Sequence, residues 1–241
     1  MISKWAIDQI CGVLLILLPA VLITSIATGS KFETYEKTAM RSLQTIADNQ
    51  ALFAISTIFL FITGLVGISL AAALYLSFRD HERTLALFGA VWVLGMGVTL
   101  VVGAMGGWTL TEIADEFEKA SGGNASGIAT SARPMQHLYE GSGLLGLATF
   151  FPLGLMAFGA LVIRSRAVPR VLGWMALPTG VLIPAIWVGL WLVGMVGMLL
   201  AAIWLVLLGV WMVVSGTREA EPVAPVGYEP RVESAPAAGD A

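Results

Sequence analysis

Charge is scarce in this sequence. Of its 241 residues only 12% are Asp, Glu, Lys or Arg, while 57% are hydrophobic. A water-soluble domain carries about 25% charged residues, so this chain lacks the polar surface to cover a globule in water. Cysteine is nearly absent too. The single Cys11 excludes an intramolecular disulfide and reads as a small buried apolar residue. Histidine occurs twice, as His81 and His137, one in a short turn and one in a loop. That excludes the facing pair of buried histidines a membrane haem would want. There is no Walker loop, no strand running into Gly-x-Gly-x-x-Gly and no His-Glu-x-x-His, so no cofactor is expected. The net charge of −3 leaves nothing basic enough for nucleic acid.

The apolar blocks lack ionisable residues as well. No Asp, Glu, Lys, Arg or His falls in the middle of any of them. Proton- and ion-coupled pumps place such groups at membrane depth, and an intramembrane hydrolase needs a base beside its nucleophile. Both classes lose ground, whereas passage of an apolar solute stays open. Asp8, one turn from Lys4, reads as half of an interfacial pair.

What is present is oil in long runs. Six apolar blocks cover roughly residues 5–29, 51–78, 85–107, 141–163, 170–188 and 191–214. A helix needs about 20 residues to cross a bilayer, and a barrel strand about 10 in alternation. These blocks are continuous and twice the strand length, so helices are expected. The first block is too long for the core of a signal peptide and lacks a cleavage site, so it is kept as a span. No charge occurs between Val171 and Val214. One helix of that length would reach about 66 Å, twice the hydrocarbon thickness, so the stretch must fold back. Val188–Gly189 is the expected turn, with Gly194–Gly197 as the alternative. The expected fold is all-α: a polytopic membrane bundle of six transmembrane helices over residues 1–216. A disordered tail follows at 217–241, rich in Pro, Ala and Glu.

Basic residues near span ends set orientation. With the N-terminus in the cytoplasm, Lys4, Arg79, Arg83, Arg164, Arg166, Arg170 and Arg218 lie inside, and the even number of spans returns the C-terminus there. Trp5, Trp174 and Trp211 then fall at the inner interface, and Trp108, Trp187 and Trp191 at the outer one. The stretch "IRSRAVPRVLGW" reads as a topological anchor in which Arg164, Arg166 and Arg170 touch anionic lipid headgroups and Trp174 sits in the interface.

The two outer loops carry helical signals. In residues 30–50, Ser30 and Glu33 have capping-box spacing, and Phe32, Tyr35, Ala39, Leu43 and Ile46 share a face. In residues 109–120, Thr109 with Glu112 repeats the cap, and Gly122–Gly123 stop the helix. "GGNASGIATSA" then reads as a flexible link containing an Asn124-Ala125-Ser126 sequon. Next, "HLYE" puts His137 and Glu140 on one helix face, on the same side of the membrane as Glu112 and Glu116. Histidine with carboxylates is a zinc-type ligand set, so these are the candidate metal ligands, with a solvated polar cluster as the plain alternative. Gly103-x-x-x-Gly107 has helix-packing spacing. Pro178 and Pro184 make the fifth span the least regular, and a ligand cavity is expected beside it.

Ser165, Arg166, Pro169, Arg170, Leu172 and Trp174, with "GISLAAALYLSFRDHERTLALFGAVW" and the closing "WLVLLGVWMV", carry a resemblance. The chain resembles the bacterial and archaeal six-helix membrane family numbered 4386 among the domains of unknown function, over roughly residues 10–215. Members often carry an Arg and a Glu in the third helix and a Glu before the final Trp. Here "AVWVLGMGV" and "MVGMLLAAIW" have neither. The resemblance implies a fold and a prokaryotic cell membrane, and no activity. Two functional expectations follow. One is a non-enzymatic membrane protein that binds or passes an apolar small molecule, or supports a partner membrane protein or a second copy. The other is a membrane enzyme or metal protein built on the outer His137/Glu140 cluster.

Overall fold

Lipid offers backbone N–H and C=O groups no partner, so each apolar block has to satisfy its own hydrogen bonds as a helix. The computed structural model describes residues 3–29, 39–120, 123–165 and 168–219. Its helices are α1 (Lys4–Gly29), α2 (Ala39–Ala47), α3 (Gln50–Phe78), α4 (Arg83–Lys119), α5 (Gly123–Leu145), α6 (Phe151–Ser165), α7 (Arg170–Leu182) and α8 (Trp191–Glu219). A π-helical segment, Gly146–Phe150, joins α5 to α6, and a 3₁₀ turn, Ile183–Val188, extends α7. Among the described residues there is no strand. Among the described residues, six stretches are long and apolar enough to cross a membrane, and each contains one of the six blocks. The turn between the last two falls at Gly189, whose φ of 80° is the left-handed conformation glycine tolerates best.

The spans form a closed ring in chain order. α1 packs on α3, α3 on α4, α4 on α6, α6 on α7, α7 on α8, and α8 returns to α1. Lipid tails are as apolar as leucine, so close backbone approach between small residues holds such helices together. Three crossings are reciprocal glycine pairs. A Cβ on Gly97 would lie 2.8 Å from the Gly64 carbonyl oxygen, one on Gly173 2.7 Å from that of Gly159, and one on Gly209 2.6 Å from that of Gly12. Gly103 and Gly107 also pack, on different neighbours: Gly107 faces Thr57 of α3 and Gly103 faces Tyr139 and Ser142 of α5.

Leu15, Leu70, Val93, Phe158 and Trp204 fill the middle of the ring and leave only about 10 Å³ between them. That is at the lower limit for one water molecule, about 10–15 Å³, so the centre is a packed core and not a channel. Trp204 Nε1 donates to the Leu172 carbonyl at 2.6 Å, which satisfies its one polar atom inside that core.

One end of the bundle carries Lys4, Arg79, Arg83, Arg164 and Arg170 and is called the basic end. The opposite end is more structured than the sequence suggests. Residues 123–132, read as a flexible link, are instead the first turns of α5. Residues 109–120 are not a separate capped helix either. They continue α4, and the Thr109 hydroxyl donates back to the Met105 carbonyl instead of capping. α4 therefore has 37 residues, about 55 Å against a hydrocarbon thickness of about 30 Å. Its last turns, α2 and the start of α5 form a helical cap around Leu43, Ile46, Phe53, Leu110, Ala114, Phe117, Ala129 and Ala132. The expected pairing of Lys4 with Asp8 is also replaced: the Lys4 ammonium lies 3.9 Å from Asp80. α8 continues to Glu219, past the expected boundary at 216. The capping-box residues Ser30 and Glu33, with Phe32 and Tyr35, lie outside the described residues, as do 220–241.

Candidate functional site

The site begins where two helices part. α1 and α8 touch through Gly12 and Gly209 in the half nearest the basic end. Toward the cap they separate, and two adjoining cavities open between them. Each encloses about 240 Å³. The deeper is lined by Pro19, Leu22, Ile26, Phe151, Met198 and Leu205, with almost no polar surface. The other, nearer the cap, is lined by Ser25, Gly29, Leu60, Tyr139, Glu140, Gly143 and Trp191. Ile26, Met195 and Met198 belong to both, which makes the two one groove. Its rim faces outward from the ring: Ile23 is 56% exposed, Met195 52% and Leu199 61%. The groove therefore opens sideways, where lipid chains would lie.

Local sequence explains both walls. Pro19, inside α1, has no N–H to give the Leu15 carbonyl, which removes one turn's hydrogen bond beside the deeper cavity. On the opposite wall the π segment widens the fourth span by one residue and puts Leu147 and Ala148 on the groove. Such π-bulges recur at functional sites. Thr149 in that segment accepts a hydrogen bond from Trp187 Nε1 at 3.2 Å, which ties the π turn to the 3₁₀ turn of the fifth span.

The polar groups gather at the cap end. Ser56 Oγ donates to the Phe53 carbonyl at 3.1 Å and lies 3.5 Å from Tyr139 Oη. Ser25 Oγ donates to the Ser56 carbonyl at 3.4 Å. The Tyr139 ring packs on Phe53, centroids 5.4 Å apart. Three helices thus bring Ser25, Ser56 and Tyr139 together above an apolar trough.

The expected site residues are distributed differently. Glu140 is half-buried and lines the groove, whereas His137, Glu112 and Glu116 are exposed on α5 and α4. Among the described residues no three His, Cys, Asp or Glu side chains are grouped so as to hold a metal ion. Asp115 accepts a hydrogen bond from the Gln50 amide. Arg164, Arg170 and Trp174 are exposed at the basic end, and Arg166 lies outside the described residues. The groove lies between the first and sixth spans. Gly180 of α7 packs against the fourth span, the Pro152 carbonyl lying 3.0 Å from where a Cβ would be. Among the described residues, the fifth span contributes Ile186 to the groove.

A family model described as "Domain of unknown function (DUF4386)" matches residues 10–216. No curated protein and no solved structure matches the chain.

Proposed function

The chain belongs to the DUF4386 family, and on that premise we propose that it is a non-enzymatic integral membrane protein whose lateral groove takes the apolar chain of a lipid-like molecule from the bilayer. One observation carries this reading. The groove is open to the lipid side at Ile23, Met195 and Leu199, while the ring beneath it is closed around Leu15, Phe158 and Trp204. An occupant could enter from the membrane plane, and the described core residues beneath the groove leave too little space for one to pass between them. The combined size of the two cavities suits a small-molecule site, for which about 300–1,000 Å³ is usual. Native mass spectrometry of the protein released from detergent micelles should show a retained chain-bearing molecule after annular lipid has been stripped. Loss of every adduct under those conditions would sink the reading.

The proposed setting is the cytoplasmic membrane of a prokaryote, with both termini in the cytoplasm and the cap outside. Arg164, Arg166 and Arg170 would then meet anionic headgroups of the inner leaflet, with Trp174 in the interface. Asn124 and His81 are exposed at opposite ends. An impermeant thiol reagent applied to intact cells should label an Asn124→Cys protein and not a His81→Cys protein. The reverse pattern would invert the orientation.

A further inference from the structure

The groove stops half-way through the membrane, and the place where it stops defines one end of its occupant. Leu17 is the midpoint of the apolar block 5–29, and Ala202 lies at the middle of 191–214. The deepest lining residues, Pro19 and Leu205, are within three positions of these. Between Pro19 and Gly29 α1 rises about 15 Å, half of a hydrocarbon core of about 30 Å. Beyond Pro19 the seam is shut. A Cβ on Gly12 would lie 2.7 Å from the Gly209 carbonyl oxygen. Leu15, Leu18 and Leu205 close on Phe151 and Trp204 with about 10 Å³ between them. The groove therefore occupies the cap-side leaflet alone.

Its walls change character along this depth. Pro19, Leu22, Phe151, Ala202 and Leu205 surround the floor, and among the described residues every side chain lining the deeper cavity is apolar. The hydroxyl-bearing Ser25 and Tyr139 line the cap-end cavity and not the deeper one. A polar group of the occupant has a place near the cap and none at the floor. A hydroxyl buried at the floor would lose its water and gain no partner, which is costly. A chain loose in the bilayer or in a detergent belt escapes that cost by curling its far end back to the surface. A chain whose end is seated on the floor gives up that escape.

We infer that the groove is a chain-end site. It seats a molecule of the cap-side leaflet with its polar head toward the cap and a plain hydrocarbon terminus at the floor between α1 and α8, and it excludes chains with a second polar group at the far end. This rests on the reading of the groove as a lipid-chain site. The full chain in detergent micelles is incubated with tritiated palmitate and, separately, with tritiated hexadecanol, which share a chain and differ in the head. Palmitate is competed by its unlabelled 2-hydroxy and 16-hydroxy forms, and hexadecanol by hexadecane-1,2-diol and hexadecane-1,16-diol. The competitors hydroxylated near the head should match the plain chains within about threefold, and those hydroxylated at the far end should need at least about tenfold more. Ala202 is a small residue of the floor. In Ala202→Ser the new hydroxyl donates to its own helix and keeps a lone pair for the far-end hydroxyl. The tenfold gap should then shrink to about threefold while the plain chains still bind. The competitors are the same for both proteins, so their partitioning into micelles cancels. If the far-end hydroxyl costs nothing with the unaltered protein, or the gap is unchanged in Ala202→Ser, the chain does not end at the floor. The inference then falls, and the groove reading survives on the binding of the labels. If neither label binds, both fall together.

Discussion

Gly209→Leu is expected to lower the melting temperature of the protein by about 10 °C, or to prevent its accumulation in the membrane. A Cβ at Gly209 would sit 2.6 Å from the Gly12 carbonyl oxygen, 2.8 Å from Ile16 Cγ1 and 3.1 Å from Leu15 Cβ. The first of these is backbone and cannot turn away as a side-chain tip can. Relief requires α1 and α8 to separate, and Cys11 and Leu15 of α1 and Leu208 and Met212 of α8 are among the most deeply buried residues of the core. Overpacking costs about 1–3 kcal/mol where side chains yield, and more where they do not. In a chain of this size each kcal/mol moves the midpoint by about 2–4 °C. Gly127, which has open space around it, is the control: Gly127→Ala should leave the midpoint nearly unchanged. Thermal unfolding followed by circular dichroism in one detergent decides the matter. A Gly209→Leu midpoint equal to the parent's would mean that the α1–α8 crossing does not hold the ring closed.

Gly143→Trp is expected to empty the groove and leave the fold intact. Gly143 lines the cap-end cavity, and a Cβ there meets no atom within 4 Å. An indole at this position would reach into the space an occupant would use. Retention of chain-bearing molecules should fall at least about tenfold, equivalent to about 1.4 kcal/mol. The melting temperature of the stripped protein should stay within about 2 °C of the parent's. Gly141 is two residues away, exposed, and equally free of close neighbours, but it is not part of the groove lining. Gly141→Trp should bind as the parent does. Full binding by the Gly143→Trp protein would place the ligand elsewhere. Gly209→Leu alters the scaffold and Gly143→Trp the empty space, so the two separate loss of shape from loss of room.

Much of the scaffold could be read from sequence because its signals are local. Each span is a continuous apolar run, and the fold-back at Gly189 follows from a length that no bilayer accommodates. The cap was harder to see. Ala125, Ile128, Ala129 and Ala132 do recur at helical spacing and do pack in the cap, but they sit among Gly, Ser and Asn, and small residues carry little hydrophobic contrast. Capping-box spacing at Thr109 misled for a related reason: an apolar helix already under way needs no new start.

The groove was the least legible feature, because it comes from a distance between helices and not from a pattern within one. Ser25 and Ser56 stand out as polar residues in apolar blocks, and Tyr139 precedes another block. Nothing in their spacing says that α1, α3 and α5 bring them within hydrogen-bonding reach of one another. Glu140 was marked for metal chemistry by its neighbour His137. In the structure they diverge, with Glu140 turned to the groove and His137 to the outside.

The closed ring in chain order also has a consequence in time. Five of its six contacts join neighbouring spans, and only α8 on α1 links the two ends of the bundle. Neighbouring spans can pair as soon as they leave the insertion machinery, since short loops cost little entropy to close. The first span must wait, with its Gly12 face uncovered, until the last has been synthesised. The groove lies along that seam. The groove is thus completed only when α8 has packed on α1, and a chain truncated before α8 would carry every lining residue of the other spans and still have no groove.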